Sequence, residues 1–190
     1  WRHPGHRFSA ETIRDHLLSV AGLLSLKKGG APAYPWQPEG VWRKSAGAGP
    51  MSYEVAIGED GYRRDIYTVW RRSAHYPSFA NFDAPDRGAC LVLRGRSNTP
   101  LQALTLLNDA VYVEAAKAFA RRIEALPAMG VDAKLVWAFR CVVAREPTET
   151  EKTVLSEIYL SEFESSQESD SAWFNVASIL MNLHETICRN

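Results

Sequence analysis

Apolar residues recur at helical spacing in two parts of the chain, and between them that rhythm is lost. Near the start, Ile13, Leu17, Val20, Ala21 and Leu24 follow steps of three and four and so share one face of a helix. Ser9 stands where an N-cap accepts the first free amides, and Glu11 suits the positive end of the dipole. Lys27 and Lys28 fit the C-terminus of this helix, and Gly29 with Gly30 predicts its stop.

The second half carries stronger start signals. Thr99 is an N-cap, Pro100 fits the first helical position and Gln102 completes a capping box, after which Leu101, Leu104 and Leu107 lie near one face. Asn108 and Asp109 end that helix and cap the next, which runs to about Leu126 with Val111, Ala115, Ala118, Phe119 and Ile123 inward. Asp132 opens another, with Leu135, Val136, Phe139, Val142 and Val143 inward. A second capping box at Thr148–Glu151 starts a helix whose core face is Val154, Leu155, Ile158 and Tyr159. The last helix carries Trp173, Val176, Leu180, Leu183 and Ile187. Five of these six helices are amphipathic enough to need partners. The prediction is a mainly α fold: one domain over 1–190, a helical bundle of about six helices, with 27–98 as a long irregular insertion rich in arginine and aromatic residues. Within it, Tyr62–Arg72 reads either as a short strand, paired in a β-hairpin with Met51–Ile57, or as a long ordered loop.

Composition removes several classes. The 190 residues are 46% hydrophobic with a net charge of zero, which excludes dominant disorder. No apolar run approaches the roughly 20 residues that a bilayer span needs. Zero net charge argues against nucleic acid as a partner. The chain opens Trp1-Arg2-His3 with neither Met nor an apolar leader, which leads us to expect a piece of a longer protein. Cys90, Cys141 and Cys188 show no C-x-x-C or C-x-x-C-H spacing, so they read as buried small hydrophobes, and no haem attaches here in the usual way.

Candidate chemistry concentrates in the middle. Arg63, Arg64, Arg71 and Arg72 are interleaved with Tyr67 and Trp70, and Arg87, Arg94 and Arg96 follow. Planar guanidinium groups suit carboxylate, sulfate or phosphate, and aromatic faces suit stacking on sugars, so these six residues from Arg63 to Arg72 are a candidate anionic-ligand surface. The simpler reading pairs them with Asp65, Asp83, Asp86 and the acidic second half, where residues 101–190 carry 13 acidic against 8 basic side chains. Asp83 and Asp86, with Asn81 and Asn98 near in sequence, could ligate a hard cation but match no EF-hand spacing, and Arg87 competes for the Asp86 carboxylate. They are expected instead to form a structural polar knot with Arg87, Arg96, Asn108 and Asp109 that ties the middle to the helix start at Thr99. No metal site is expected. The sequence holds no H-E-x-x-H, G-x-S-x-G, Walker A or G-x-G-x-x-G pattern, so no catalytic residue is assigned.

Three strings then become familiar: Y-R-R-D-I-Y-T-V-W-R-R (62–72), S-F-A-N-F-D-A-P-D-R (78–87) and R-S-N-T-P-L-Q-A-L-T-L-L-N-D (96–109). They resemble the PSD-type domain of unknown function found at the C-terminus of large planctomycete and verrucomicrobial surface or periplasmic proteins. Ala110 and Gly88 depart from it, standing where that family commonly has Pro and an acidic residue. The resemblance implies an exported multidomain protein, periplasmic or at the cell surface. It also implies upstream domains as partners, often including a cytochrome-c-like one that would carry haem c outside this segment. The leading reading is a non-catalytic interaction module that docks on upstream domains or contacts an anionic polysaccharide. Two alternatives are a subdomain completing a redox or polysaccharide-processing site, and a purely structural cap.

Overall fold

A computed structural model describes residues 5–42, 52–127 and 129–189. It is mainly helical, with six helices of nine residues or more and two single-turn ones. Helix α1 (Ala10–Ala21) begins where Ser9 Oγ accepts the Thr12 amide at 3.2 Å. It stops at Gly22 and does not run on to Lys28. Gly22 takes a left-handed φ of 76°, and the Leu23 and Leu24 amides fold back on the Leu18 carbonyl at 2.9 and 3.1 Å. The early stop turns the chain outward at Ser25 and releases the irregular segment.

The remaining helices are α2 (Pro77–Asn81), α3 (Pro100–Asn108), α4 (Ala110–Glu124), α5 (Val131–Val143), α6 (Glu149–Ser166), α7 (Ser169–Met181) and α8 (His184–Ile187). Both capping boxes form, at Thr99 with Gln102 and at Thr148 with Glu151. Asp109 caps α4, accepting the Val111 amide at 2.9 Å. The expected last helix breaks at Asn182, where Thr186 Oγ1 donates to the Leu180 carbonyl at 2.7 Å and holds α8 as a separate turn. Helix α4 packs chiefly on α7 and α1, and α6 packs on α7. Ile13, Leu17, Phe119, Ile123, Leu135, Phe139, Trp173, Val176 and Leu180 fill the space between them. Val154, expected on the core face of α6, is half exposed. The strand pairing observed is not the expected one. Strand β1 (His6–Arg7) runs antiparallel to β2 (Cys188–Arg189) and brings the two ends of the described chain together.

The hairpin in the middle does not form. Met51 lies outside the described residues, and 52–57 is not a strand. Residues 58–72 instead contain tight turns at Gly58–Tyr62 and Asp65–Tyr67, and the stretch lies along residues 25–33. Ser25 bonds the Tyr62 carbonyl at 2.9 Å, and Ala33 exchanges bonds with Tyr67 and Val69 at 2.7 and 2.8 Å. Pro32 in that neighbour and Pro35 just beyond it lack amide hydrogens, and the contact stays a pair of isolated bridges.

The cysteine expectation also needs correction. Cys188 is buried and Cys141 half-buried, but Cys90 sits in an open stretch and is exposed; all three are free thiols.

Candidate functional site

The irregular layer is fixed to the bundle by a buried ion pair. Arg14 on α1 and Asp65 in the second tight turn are in direct contact, with side chains 1% and 0% exposed. The Arg14 fork also donates to the Gly61 carbonyl at 2.8 Å and the Arg63 carbonyl at 3.3 Å. Thr68 Oγ1 donates to Asp65 at 3.1 Å, and Asp15, the next residue of α1, accepts the Asp65 amide at 2.8 Å. Burial pushes the Asp65 carboxyl up to about 7 against the pull of Arg14. Burial also disfavours the Arg14 charge, but the Asp65 carboxylate outweighs it and holds the guanidinium protonated. Tyr112 lies against the same cluster, its hydroxyl 2.7 Å from Ser78 Oγ. Such a pair, closed to water, anchors one layer to another.

The six residues considered as an anion surface are not gathered on one open face. Arg63 is buried, donating to the Ala31 carbonyl at 2.6 Å and to the Gly29 carbonyl while stacking on Tyr67 at 4.1 Å. Tyr67 in turn accepts the Gly29 amide at 3.0 Å. Arg64 pairs with Asp15 at 3.2 Å. Trp70 is stacked between His75 and Phe79, and Arg87 covers it at 4.5 Å. Arg71 lies over Trp42 at 5.1 Å, and Arg72 is exposed.

The polar residues near α3 join through different partners from those the sequence suggests. Asp83, in a left-handed conformation, accepts the Ser97 amide at 2.6 Å and Arg7 Nη2 at 2.5 Å. Burial raises its carboxyl, but Ser97 and Arg7 together hold it below the usual carboxylate range. Gln102 Nε2 donates to Ser97 Oγ at 3.1 Å and the Asn81 carbonyl at 3.0 Å, completing the tie to α3. Among the described residues Asp86 accepts only its local Gly88 amide, at 2.8 Å, and Asn98 faces solvent. Arg96 meets His6 at 2.6 Å, and Asn108 donates to the Leu104 carbonyl at 2.9 Å. Arg7 and Ser97 were invisible to sequence reasoning because they act across the fold, and Asn81, noted beside the acids, receives Gln102 through its backbone carbonyl. Gln102 carried a signal, since its box position already directs it back toward Thr99.

This tie turns α3 over. Gln102 and Thr105 are 1% and 8% exposed, whereas Leu101, Leu104 and Leu107 are 54%, 54% and 41% exposed. Leu91, Val92 and Leu93 in the preceding segment are exposed as well. Elsewhere, His184 Nδ1 lies 3.8 Å from Cys188 Sγ, but burial pushes that thiol up and keeps it protonated. Among the described residues no group of three His, Cys, Asp or Glu side chains is placed to hold a metal, and no helix is long and apolar enough to cross a membrane.

These features define a helical scaffold carrying an irregular layer locked down by internal arginine contacts, with an outward leucine face beside it. The profile of the PSD1 family, a protein of unknown function (DUF1553), matches residues 1–159, and the chain belongs to that family. The match ends inside α6, so α7 and α8 lie beyond it. Comparison with curated proteins and with solved structures returned no match.

Proposed function

We propose that this chain is a non-catalytic interaction module whose α3 presents a docking face to another domain of the same polypeptide. The observation that carries this reading is the orientation of α3, with Leu101, Leu104 and Leu107 outward and Gln102, Thr105 and Leu106 inward. Single exposed leucines are ordinary, but three on one helical face form a contiguous apolar stripe of the kind that marks an interaction surface. Covering them completely contributes about 1 kcal/mol each, since each is already about half-buried. The outward leucines belong to the N-T-P-L-Q-A-L-T-L-L-N-D string through which the chain most specifically resembles its family.

The partner in this reading is an upstream domain, as the resemblance implies, which would also carry any haem c, in a periplasmic or cell-surface protein. An anionic polysaccharide held by the 63–72 stretch draws less support, because Arg63 and Arg64 already have internal partners. The test is a photo-crosslinking amino acid placed at Leu104 in the intact protein. Crosslinks to polypeptide outside residues 1–190 are expected; crosslinks confined to these residues would remove the reading.

A further inference from the structure

A second feature lies on another part of the molecule. Between the start of α1 and residues 92–96 is a pocket of about 210 Å³ bordered by Arg7, Arg94 and Arg96. Arg7 is its built component. The side chain is only 7% exposed, and Nη2 is fixed by Asp83 at 2.5 Å and the Phe82 carbonyl at 3.2 Å. The guanidinium lies 5.8 Å from the Phe82 ring centroid. Its Nε and Nη1 are buried, yet neither donates to any acceptor among the described residues. Arginine does not deprotonate in proteins, so these donors stay on a permanent cation and need an acceptor.

The surrounding charges leave room for one. Arg94 is neutralised by Glu11, whose two oxygens lie 2.8 and 3.1 Å from Nη1. Arg96, in contrast, contacts the imidazole nitrogen of His6 and, among the described residues, no carboxylate. Three guanidinium groups therefore face two carboxylates, Asp83 and Glu11. Ala10, the first residue of the twelve-residue α1, also lines the pocket, and the positive end of that helix dipole adds to the excess. The rim includes the exposed side chains of Val92 and Leu93.

We propose that this pocket binds an oxyanion group (sulfate, phosphate or carboxylate), with Arg7 as the charged floor and Arg96 as the fork at the mouth. The apolar rim accommodates the body that carries the group when the anion is not free. This site is independent of α3 docking, and either can fail without the other.

The ¹⁵N-labelled 190-residue chain is titrated with sodium sulfate, sodium phosphate, sodium acetate and a sulfated disaccharide, following the amides of Ala10, Gly95 and Ser97. Saturable shifts confined to these positions are expected, with Arg96→Gln weakening binding about tenfold. Arg140→Gln, on the exposed face of α5, leaves the affinity unchanged. Arg7→Lys keeps the charge but loses the planar fork, and it weakens binding in a variant whose circular dichroism matches the parent. Saturation by the inorganic ions or acetate identifies a free anion as sufficient; saturation by the disaccharide alone identifies a group borne on a larger molecule. Absence of saturable shifts with all four probes at millimolar concentration overturns the site. So does an affinity that Arg96→Gln leaves intact.

Discussion

Removing the Asp65 carboxylate is the sharpest probe of how the irregular layer is held. In Asp65→Ala the Arg14 guanidinium stays where it is, 1% exposed, with only the Gly61 and Arg63 carbonyls among the described residues to accept its hydrogen bonds. Breaking a buried pair from one side costs about 3–5 kcal/mol, because the surviving charge has no counterion and no water. Those two carbonyl acceptors, and the small cavity left by a carboxylate, place the expectation near the lower end, about 3 kcal/mol. Replacing both partners, as Arg14→Met with Asp65→Leu, removes the stranded charge but leaves the two carbonyls unsatisfied, at about 1–3 kcal/mol.

The double variant should therefore be no less stable than the single one, a non-additivity that only contacting groups produce. The assay is urea unfolding at about pH 8, a unit above the Asp65 midpoint, followed by far-UV circular dichroism and tryptophan fluorescence. If the layer undocks before the bundle unfolds, the single variant also shows a smaller m-value, since less surface remains to be exposed. A loss under about 1 kcal/mol in Asp65→Ala, or two losses that simply add in the double variant, refutes the anchor.

Two further outcomes follow from the same structure. The Asp65 carboxyl is raised in the folded state to about 7, above its unfolded value of about 3.9. The extra stability that its protonation supplies is therefore full below the unfolded value and is lost as pH rises through about 7, and what remains at pH 8 is the ion pair with Arg14. The stability of the parent minus that of Asp65→Asn should fall across this window in thermal melts, and a difference that rises with pH contradicts the assignment. Among the thiols, Cys90 is exposed while burial raises the Cys141 and Cys188 thiols. Maleimide labelling near neutral pH, mapped by peptide mass spectrometry, should modify Cys90 first; equal rates at Cys188 would show that the β1–β2 end is open.

Local signals were legible where neighbours in sequence decide the outcome. Ser9, Thr99, Asp109 and Thr148 cap helices because a short side-chain oxygen reaches an amide two or three residues on, whatever the rest of the fold does. The stripes of α4 and α7 were legible because a helix with one apolar face has few ways to hide it. The orientation of α3 was not. Its leucine spacing is that of a core-facing helix, but Ser97, Asn81 and the box residue Gln102 hold the polar side inward. Periodicity reports that a face is apolar and not which side of the helix its neighbours cover.

Local residue patterns were thus enough for a mainly helical chain, the starts of its principal helices, and a middle too irregular and too rich in arginine to join the bundle as another helix. Where those arginines point is set by the packed fold. Arg14 meets Asp65 across 51 positions, Arg63 meets the carbonyls of residues 29 and 31, and Arg7 meets Asp83 across 76. A guanidinium is a long, permanently charged fork that can satisfy itself on any carboxylate or carbonyl the fold brings near. No local pattern selects among those acceptors; the packing that buries the guanidinium does.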